Sequence, residues 1–296
     1  MRRSHFSILC LSALTLTLAA LPVLRADEAQ ILQNLTAKGA KVTDQRGVLG
    51  IEVPKPTEWT EADFKGIAQL TRVQHLSFGL GLTDAQLALL QGLPNVDTFG
   101  SNGANISDEG LKIFANFKKL QSLTFFHPGK AMTGTGFTAL ASLPALETMT
   151  VAGSSAFGND GVAAVAQLSH LKSLRIFHTN ADITGLAKLS ALHNLTNLTL
   201  GQRLSYTKPV ALSDETVTLA TGFSNLQNLS FMEAELSLSA LQKLKSLNHL
   251  KFLTLQGIQI NSGDIEQLKS ALNGVQIKYT APDANGLKRI KALAGS

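Results

Sequence analysis

The sequence predicts an α/β solenoid, one elongated array of stacked strand–helix units. Three observations predict it. A short apolar pattern recurs every 23 to 26 residues, with a single interval of 31. Leucine supplies 50 of the 296 residues, while aromatic residues supply only 6%. Each copy joins a strand-like alternation to a helix-like spacing, so neither element can bury its apolar side alone.

The first segment stands outside the array. Arg2 and Arg3 precede an apolar stretch, Phe6 to Leu21, too short and too rich in Ser and Thr to read as a membrane span. Pro22 breaks it, and Leu24-Arg25-Ala26 offers a cleavage site before Asp27. Residues 1–26 therefore read as a signal peptide, and the chain as exported: periplasmic, cell-envelope or secreted. No stable membrane span is expected once the signal is removed. Its removal lowers the formal charge from +5 to +2 (23 basic against 21 acidic residues) and takes away Cys10, the one cysteine. A disulfide framework, a cysteine-based zinc site and a cysteine nucleophile are then excluded by composition. Lys and Arg are dispersed, without a basic run, and this argues against a nucleic-acid partner.

Residues 27–47 read as an N-terminal cap. Ile31, Leu32 and Leu35 give Glu28 to Lys38 an amphipathic helix, and Ala40 to Val53 turns as a hairpin at Asp44-Gln45-Arg46-Gly47. Residues 48–274 hold nine units, starting at Val48, Val73, Val96, Leu120, Leu146, Leu171, Leu195, Leu226 and Leu250. Positions one, four and six of each unit point inward, and positions three and five outward. A polar helix-start residue follows, as in Thr83-Asp84, Ser107-Asp108 and Ser213-Asp214. Its hydroxyl can cap the free backbone N–H groups, and the acid suits the helix dipole. Apolar residues three apart, such as Leu87, Leu90 and Leu93, then form the inward stripe. Trp59 occupies one of these apolar positions and is expected to fill the core. The unit 195–225 carries an insertion, within Gly201 to Val210. Residues 275–296 read as a C-terminal cap: an edge strand through Val275, Ile277 and Tyr279, then a helix through Leu287, Ile290 and Leu293.

Thr83 to Asn95 spells TDxxLxxLxxLxN. On that motif and its periodic repetition, residues 48 to about 280 resemble the leucine-rich repeat family, in particular secreted bacterial members with helix-backed repeats. The resemblance implies a right-handed arc or horseshoe, with a parallel sheet on the concave side and helices on the convex side. One departure stands out. The family's ladder asparagine, nine residues into the unit, is replaced by Gly81, Ala104, Pro128, Ser154, Thr179, Arg203, Ala234 and Ile258. The turn backbone must be satisfied in another way.

No catalytic constellation is present. There is no His-Glu-x-x-His and no Gly-x-Ser-x-Gly, and Gly129-Lys130-Ala131 lacks the flanking residues of a phosphate loop. No motif asks for a cofactor or a metal, and the chain reads as non-catalytic. Function in such an array falls on the concave strands and adjoining turns. The seventh and eighth positions read Phe126-His127, Ala152-Gly153 and Phe177-His178. At about 4.8 Å per strand, the Phe-His pairs should stand roughly 10 Å apart with small residues between them. That spacing predicts a shallow cleft with aromatic walls, extended by Arg175 and Met232. The insertion adds Arg203, Tyr206 and Lys208 as rim contacts. The partner expected is a protein, a peptide or an envelope glycan. The alternatives are an envelope spacer without a discrete ligand, or an inhibitor or substrate adaptor. N-terminal sequencing of the exported protein should begin at Asp27; a cytoplasmic product that keeps Met1 would sink the export reading.

Overall fold

Alternate apolar side chains favour an extended segment with one face buried. The computed structural model describes residues 20–205 and 208–294 and contains eleven such strands in one sheet, in sequence order. They are β1 (Lys41–Gln45), β2 (Val48–Val53), β3 (Val73–Phe78), β4 (Thr98–Asn102), β5 (Ser122–Phe126) and β6 (Thr148–Ala152). Then come β7 (Ser173–Phe177), β8 (Asn197–Gly201), β9 (Asn228–Met232), β10 (Phe252–Gln256) and β11 (Gln276–Thr280). The β1–β2 pair is antiparallel, and every later pair is parallel. Arg46 (φ 53°) and Gly47 (φ 84°) supply the two left-handed residues of a tight hairpin turn. The sheet stays open and forms the concave side.

Helical segments precede, connect and follow the strands, and those between parallel strands return the chain on the convex side. They are α1 (Ala20–Ala37), α2 (Glu61–Ala68), α3 (Asp84–Ala88), α4 (Asp108–Ile113) and α5 (Asn159–Val165). After them come α6 (Ile183–Leu186), α7 (Asp214–Ala220), α8 (Leu238–Gln242), α9 (Ser262–Ala271) and α10 (Ala284–Ala294). One unit departs from the expected strand–helix pattern. After β5 the chain returns through a 3-10 helix, Thr135–Ser142, whose first flank is Gly134 at φ 95° rather than a capping hydroxyl. The signal segment expected at residues 1–26 lies largely outside the described residues, and α1 begins before its cleavage point. Among the described residues no helix is long and apolar enough to cross a membrane.

The inward positions of all units merge into one buried column. Aromatic residues are scarce, but the fold gathers them. Trp59, Phe64, Phe78, Phe99, Phe125, Phe137 and Phe157 touch in succession, with ring centroids 5.7 to 6.2 Å apart. Each such contact contributes about 0.5–1.5 kcal/mol beyond the area it buries. Trp59 thus fills the core, as its place in the repeat predicts, and the column beyond Phe157 continues mainly in leucine.

Three inter-unit devices stand where the asparagine ladder is missing. First, the residue after the strand donates its N–H to the next unit. Gly103 donates to Phe126 (2.8 Å), His127 to Ala152 (2.8 Å) and Glu233 to Gln256 (2.9 Å). Second, the acid that begins three of the helices bonds to the next helix start. Asp84 accepts from Ser107 N (2.9 Å), and Asp214 from Ser237 N (2.9 Å). Asp108 accepts from the N–H groups of Thr133 (3.2 Å), Gly134 (2.8 Å) and Gly136 (3.3 Å), and from the Thr133 hydroxyl. Third, on the opposite rim, the Nδ2 groups of Asn95, Asn194 and Asn225 donate to carbonyls of Thr71, Ser169 and His193, at 2.8 to 2.9 Å. The N-terminal cap is tied down by Arg72, whose guanidinium meets Glu28 of α1 and Asp44 of β1.

Burial alone would raise the Asp108 carboxyl. The hydrogen bonds from Thr133, Gly136 and Gly134 outweigh it and hold the carboxyl below its ordinary value of 3.8. A depressed folded value stabilises the fold in full above pH 3.8, and that stabilisation is lost as pH falls through the folded value. Asp108→Asn should therefore cost about 1–3 kcal/mol at pH 7. It should also shrink the loss of melting temperature between pH 7 and strong acid. Thermal melts at both pH values check this, and an unchanged midpoint at pH 7 refutes the coupling.

Candidate functional site

The seventh position of successive units forms a row across the concave sheet: Phe126, Ala152, Phe177, Gly201 and Met232. Phe126 pairs in register with Ala152, Ala152 with Phe177, and Gly201 with Met232. The sequence predicts a cleft between the two phenylalanines, and the structure corrects this. The Phe126 and Phe177 rings lean together, with centroids 6.3 Å apart and planes at 59°. Ala152 lies beneath them, 1% exposed. An open gap would leave two apolar ring faces in water, and closing it over the small alanine removes them. What results is a ridge, large–small–large–small–large, with Phe126, Phe177 and Met232 half-buried. Gly201 permits its continuation, because a Cβ there would stand 2.4 Å from the Cβ of Phe177. Arg175, exposed on the same strand as Phe177, places its guanidinium 5.3 Å from that ring's centroid.

The eighth position lies on the turn-side rim. Gly103, Gly153 and Gly257 have positive φ there, and so do His127 (φ 46°), His178 (φ 49°) and Glu233 (φ 64°). That conformation is uncommon for residues with a Cβ and points to a demand on the side chain. His127 lies over Gly153, and its Nδ1 stands 2.9 Å from Asn102 Oδ1. His178 sets its ring edge-on to Phe177, and its Nε2 stands 3.0 Å from Glu233 Oε2. Arg289 of α10 approaches the other oxygen of Glu233 at 3.8 Å. Both predicted histidines therefore have partners within the chain. Asn102 and Glu233 are additions that sequence reasoning missed. The signal for Glu233 was available: recurrent glycine in a repeat column marks a left-handed position, where any other residue is a departure.

The insertion is anchored from below. Gln202, 1% exposed, accepts the Ala211 N–H (2.9 Å) and donates to the Leu212 carbonyl (3.3 Å). Arg203 donates to the Pro209 carbonyl (2.8 Å) and to Asn180 Oδ1, so its guanidinium holds the loop. Lys208 is exposed, and Tyr206 lies outside the described residues. Beside the loop, Ile290 and Leu293 of α10 line a cavity of about 660 Å³ with Leu212, Leu236 and Ile260. The C-terminal helix thus reaches back along the turn-side rim. Among the described residues, no group of three or more His, Asp or Glu is placed to hold a metal ion.

Comparison with solved structures places this geometry. An internalin (inlF) from Listeria monocytogenes superposes with a TM-score of 0.52 at 17% identity, over 92% of this chain and 79% of that one. A chain of the Toll–Spatzle complex from Drosophila gives 0.52 at 13% identity, over 82% of this chain. The fold is that of the leucine-rich repeat proteins. The chain spans 32% of the matched chain in the Toll complex. A leucine-rich repeat protein of Leptospira interrogans is also similar, with a TM-score of 0.46 at 16% identity, over 72% of this chain and 56% of that one. No family model matches the sequence, and neither does any curated protein. In leucine-rich repeat terms, the ridge is a row on the concave sheet and the histidines lie on its turn-side rim.

If close approach at Gly201 shapes the ridge, Gly201→Ala should destabilise by about 1–3 kcal/mol. Gly92→Ala, with nothing within 4 Å of the added Cβ, is the control and should stay within about 0.5 kcal/mol. Denaturant midpoints of the two variants decide it, and equal midpoints would remove the packing argument.

Proposed function

We propose that this protein is an exported, non-catalytic scaffold that holds a macromolecular partner against its concave face and insertion rim. The partner is a protein, a peptide or an envelope glycan. The observation that carries the reading is the ridge. Phe126, Phe177 and Met232 stand half-buried on a sheet face whose flanking third and fifth positions, from Ser122 to Ser230, are otherwise polar. An apolar strip rimmed by polar residues is the kind of surface that marks an interaction site. Arg175 beside it adds a cationic contact of the type enriched at binding hot spots. The Toll match supports the reading as well, since that structure is of a complex with Spatzle. The N-terminal Arg2-Arg3 and apolar stretch support export, and the lack of a catalytic motif supports a binding role.

The test is affinity capture from cell-envelope extract, comparing the wild type with Phe126→Ala plus Phe177→Ala. Circular dichroism should first show that the double variant keeps its fold. At least a tenfold loss of capture is expected, about 1.4 kcal/mol or more. Undiminished capture of every partner overturns the assignment of the ridge.

A further inference from the structure

Two side chains on the concave face break the column in which they stand, and the fold asks for neither. The third position of the units is polar from His75 through Asn228, and then becomes Phe252. The fifth is small from Ser77 through Thr254, except at Arg175. Other departures find partners within the chain. Glu52 pairs with Lys41 at 2.7 Å, and His75 approaches Asp97 at 3.4 Å. Phe252 stays 45% exposed and is the most exposed phenylalanine among the described residues. Arg175 has no carboxylate partner among the described residues; its guanidinium sits beside the Phe177 ring.

These two departures bound one pocket of about 320 Å³ over β7 to β10. Three strand intervals and two residues separate them, about 16 Å between Cα atoms. The floor between them is neutral and polar: Asn197, Thr199, Asn228 and Ser230. Asn228 Nδ2 donates to Asn197 Oδ1, and Asn197 Nδ2 donates to Thr196 Oγ1 at 3.0 Å. This chain orients both amides. It leaves Asn228 Oδ1 and the hydroxyls of Thr199, Ser230 and Thr254 without a partner among the described residues. No Asp, Glu or Lys lines the pocket.

We propose that this pocket binds an acidic saccharide, a short run of sugar rings bearing a carboxylate. The apolar C–H face of a sugar ring suits the exposed Phe252. Its hydroxyls suit a floor of amides and hydroxyls that can both donate and accept. Its carboxylate suits Arg175, whose planar guanidinium takes carboxylates bidentately. A peptide is the weaker match. The floor has no apolar socket for a side chain, and extended peptides take their main-chain bonds at sheet edges rather than faces. This inference rests on the concave face as the binding surface and adds the ligand class.

Calorimetric titration of the full exported protein tests it, with tri-galacturonate, the neutral galactotriose and a hexaglutamate peptide as probes. Tri-galacturonate should bind at least tenfold tighter than galactotriose. Arg175→Ala, or Arg175→Gln should the first fold poorly, should abolish that preference. Phe252→Ala should weaken both saccharides at least fivefold at an unchanged melting temperature. Equal affinity for the two saccharides, tighter binding of hexaglutamate, or no saccharide binding at 10 mM each overturns the inference. Partner capture that persists without saccharide binding overturns the ligand class and leaves the concave-face reading standing. Loss of dependence on Phe126 and Phe177 strikes that broader reading instead.

Discussion

A single unit of this chain has no core and no complete set of backbone hydrogen bonds. Its strand is paired only by neighbours, and the N–H after the strand is satisfied by a carbonyl one unit on, as between His127 and Ala152. An unpaired buried N–H costs about 1–3 kcal/mol, so each unit constrains where the next begins. Asp84 and Asp108 repeat the arrangement at the helix starts, reaching forward to Ser107 and Thr133. The aromatic succession from Trp59 to Phe157 does so inside the core. Stability is then a sum over adjacent interfaces, and the two caps matter because each end has one interface fewer. Arg72 meets that need at the beginning by joining α1 and β1 to the first full unit.

The same constraint writes the surface. Parallel strands in register turn each sequence position into a row, and the row fixes which side chains are neighbours. In the seventh row, small residues alternate with Phe126, Phe177 and Met232, so the large ones can lean toward one another. In the eighth row the backbone turns left-handed, which directs His127, His178 and Glu233 along the rim. His178 and Glu233 then join units that are not adjacent, and Arg289 brings α10 to the same point. Ridge, rim and C-terminal helix are thus one neighbourhood, assembled from residues up to 163 positions apart, from Phe126 to Arg289.

Much of this was legible in the repeat. Its period located the strands: the apolar pattern from Leu120 to Phe125 corresponds to β5, and the column logic put Trp59 inside. What the period does not carry is the rotamer of each side chain. A spacing of two strands places Phe126 and Phe177 roughly 10 Å apart in the backbone, yet rotation about their side-chain bonds closes the gap. Nor does a capping pattern name its partner. Ser107-Asp108 announces a helix start, while the bonds that Asp108 accepts from Thr133, Gly134 and Gly136 depend on where the next unit lies. The course of α10 was beyond reach for the same reason: amphipathicity gives the buried face of a helix, not the surface it meets. Phe252 was visible in the sequence as an exception to its own column, and its significance emerged only beside Arg175.

The insertion after β8 bears on more than its own loop. Asn197 and Asn228 stand 31 positions apart in sequence, yet they pair in register like residues of any neighbouring units. Gln202 below the loop ties the loop's return to the array through its carboxamide, and the strands on either side keep their register. Loop size and strand geometry are therefore decoupled at this one point. Residues 203 to 209 mark a natural grafting position, where foreign sequence could be displayed beside the ridge while the array on either side keeps its pitch.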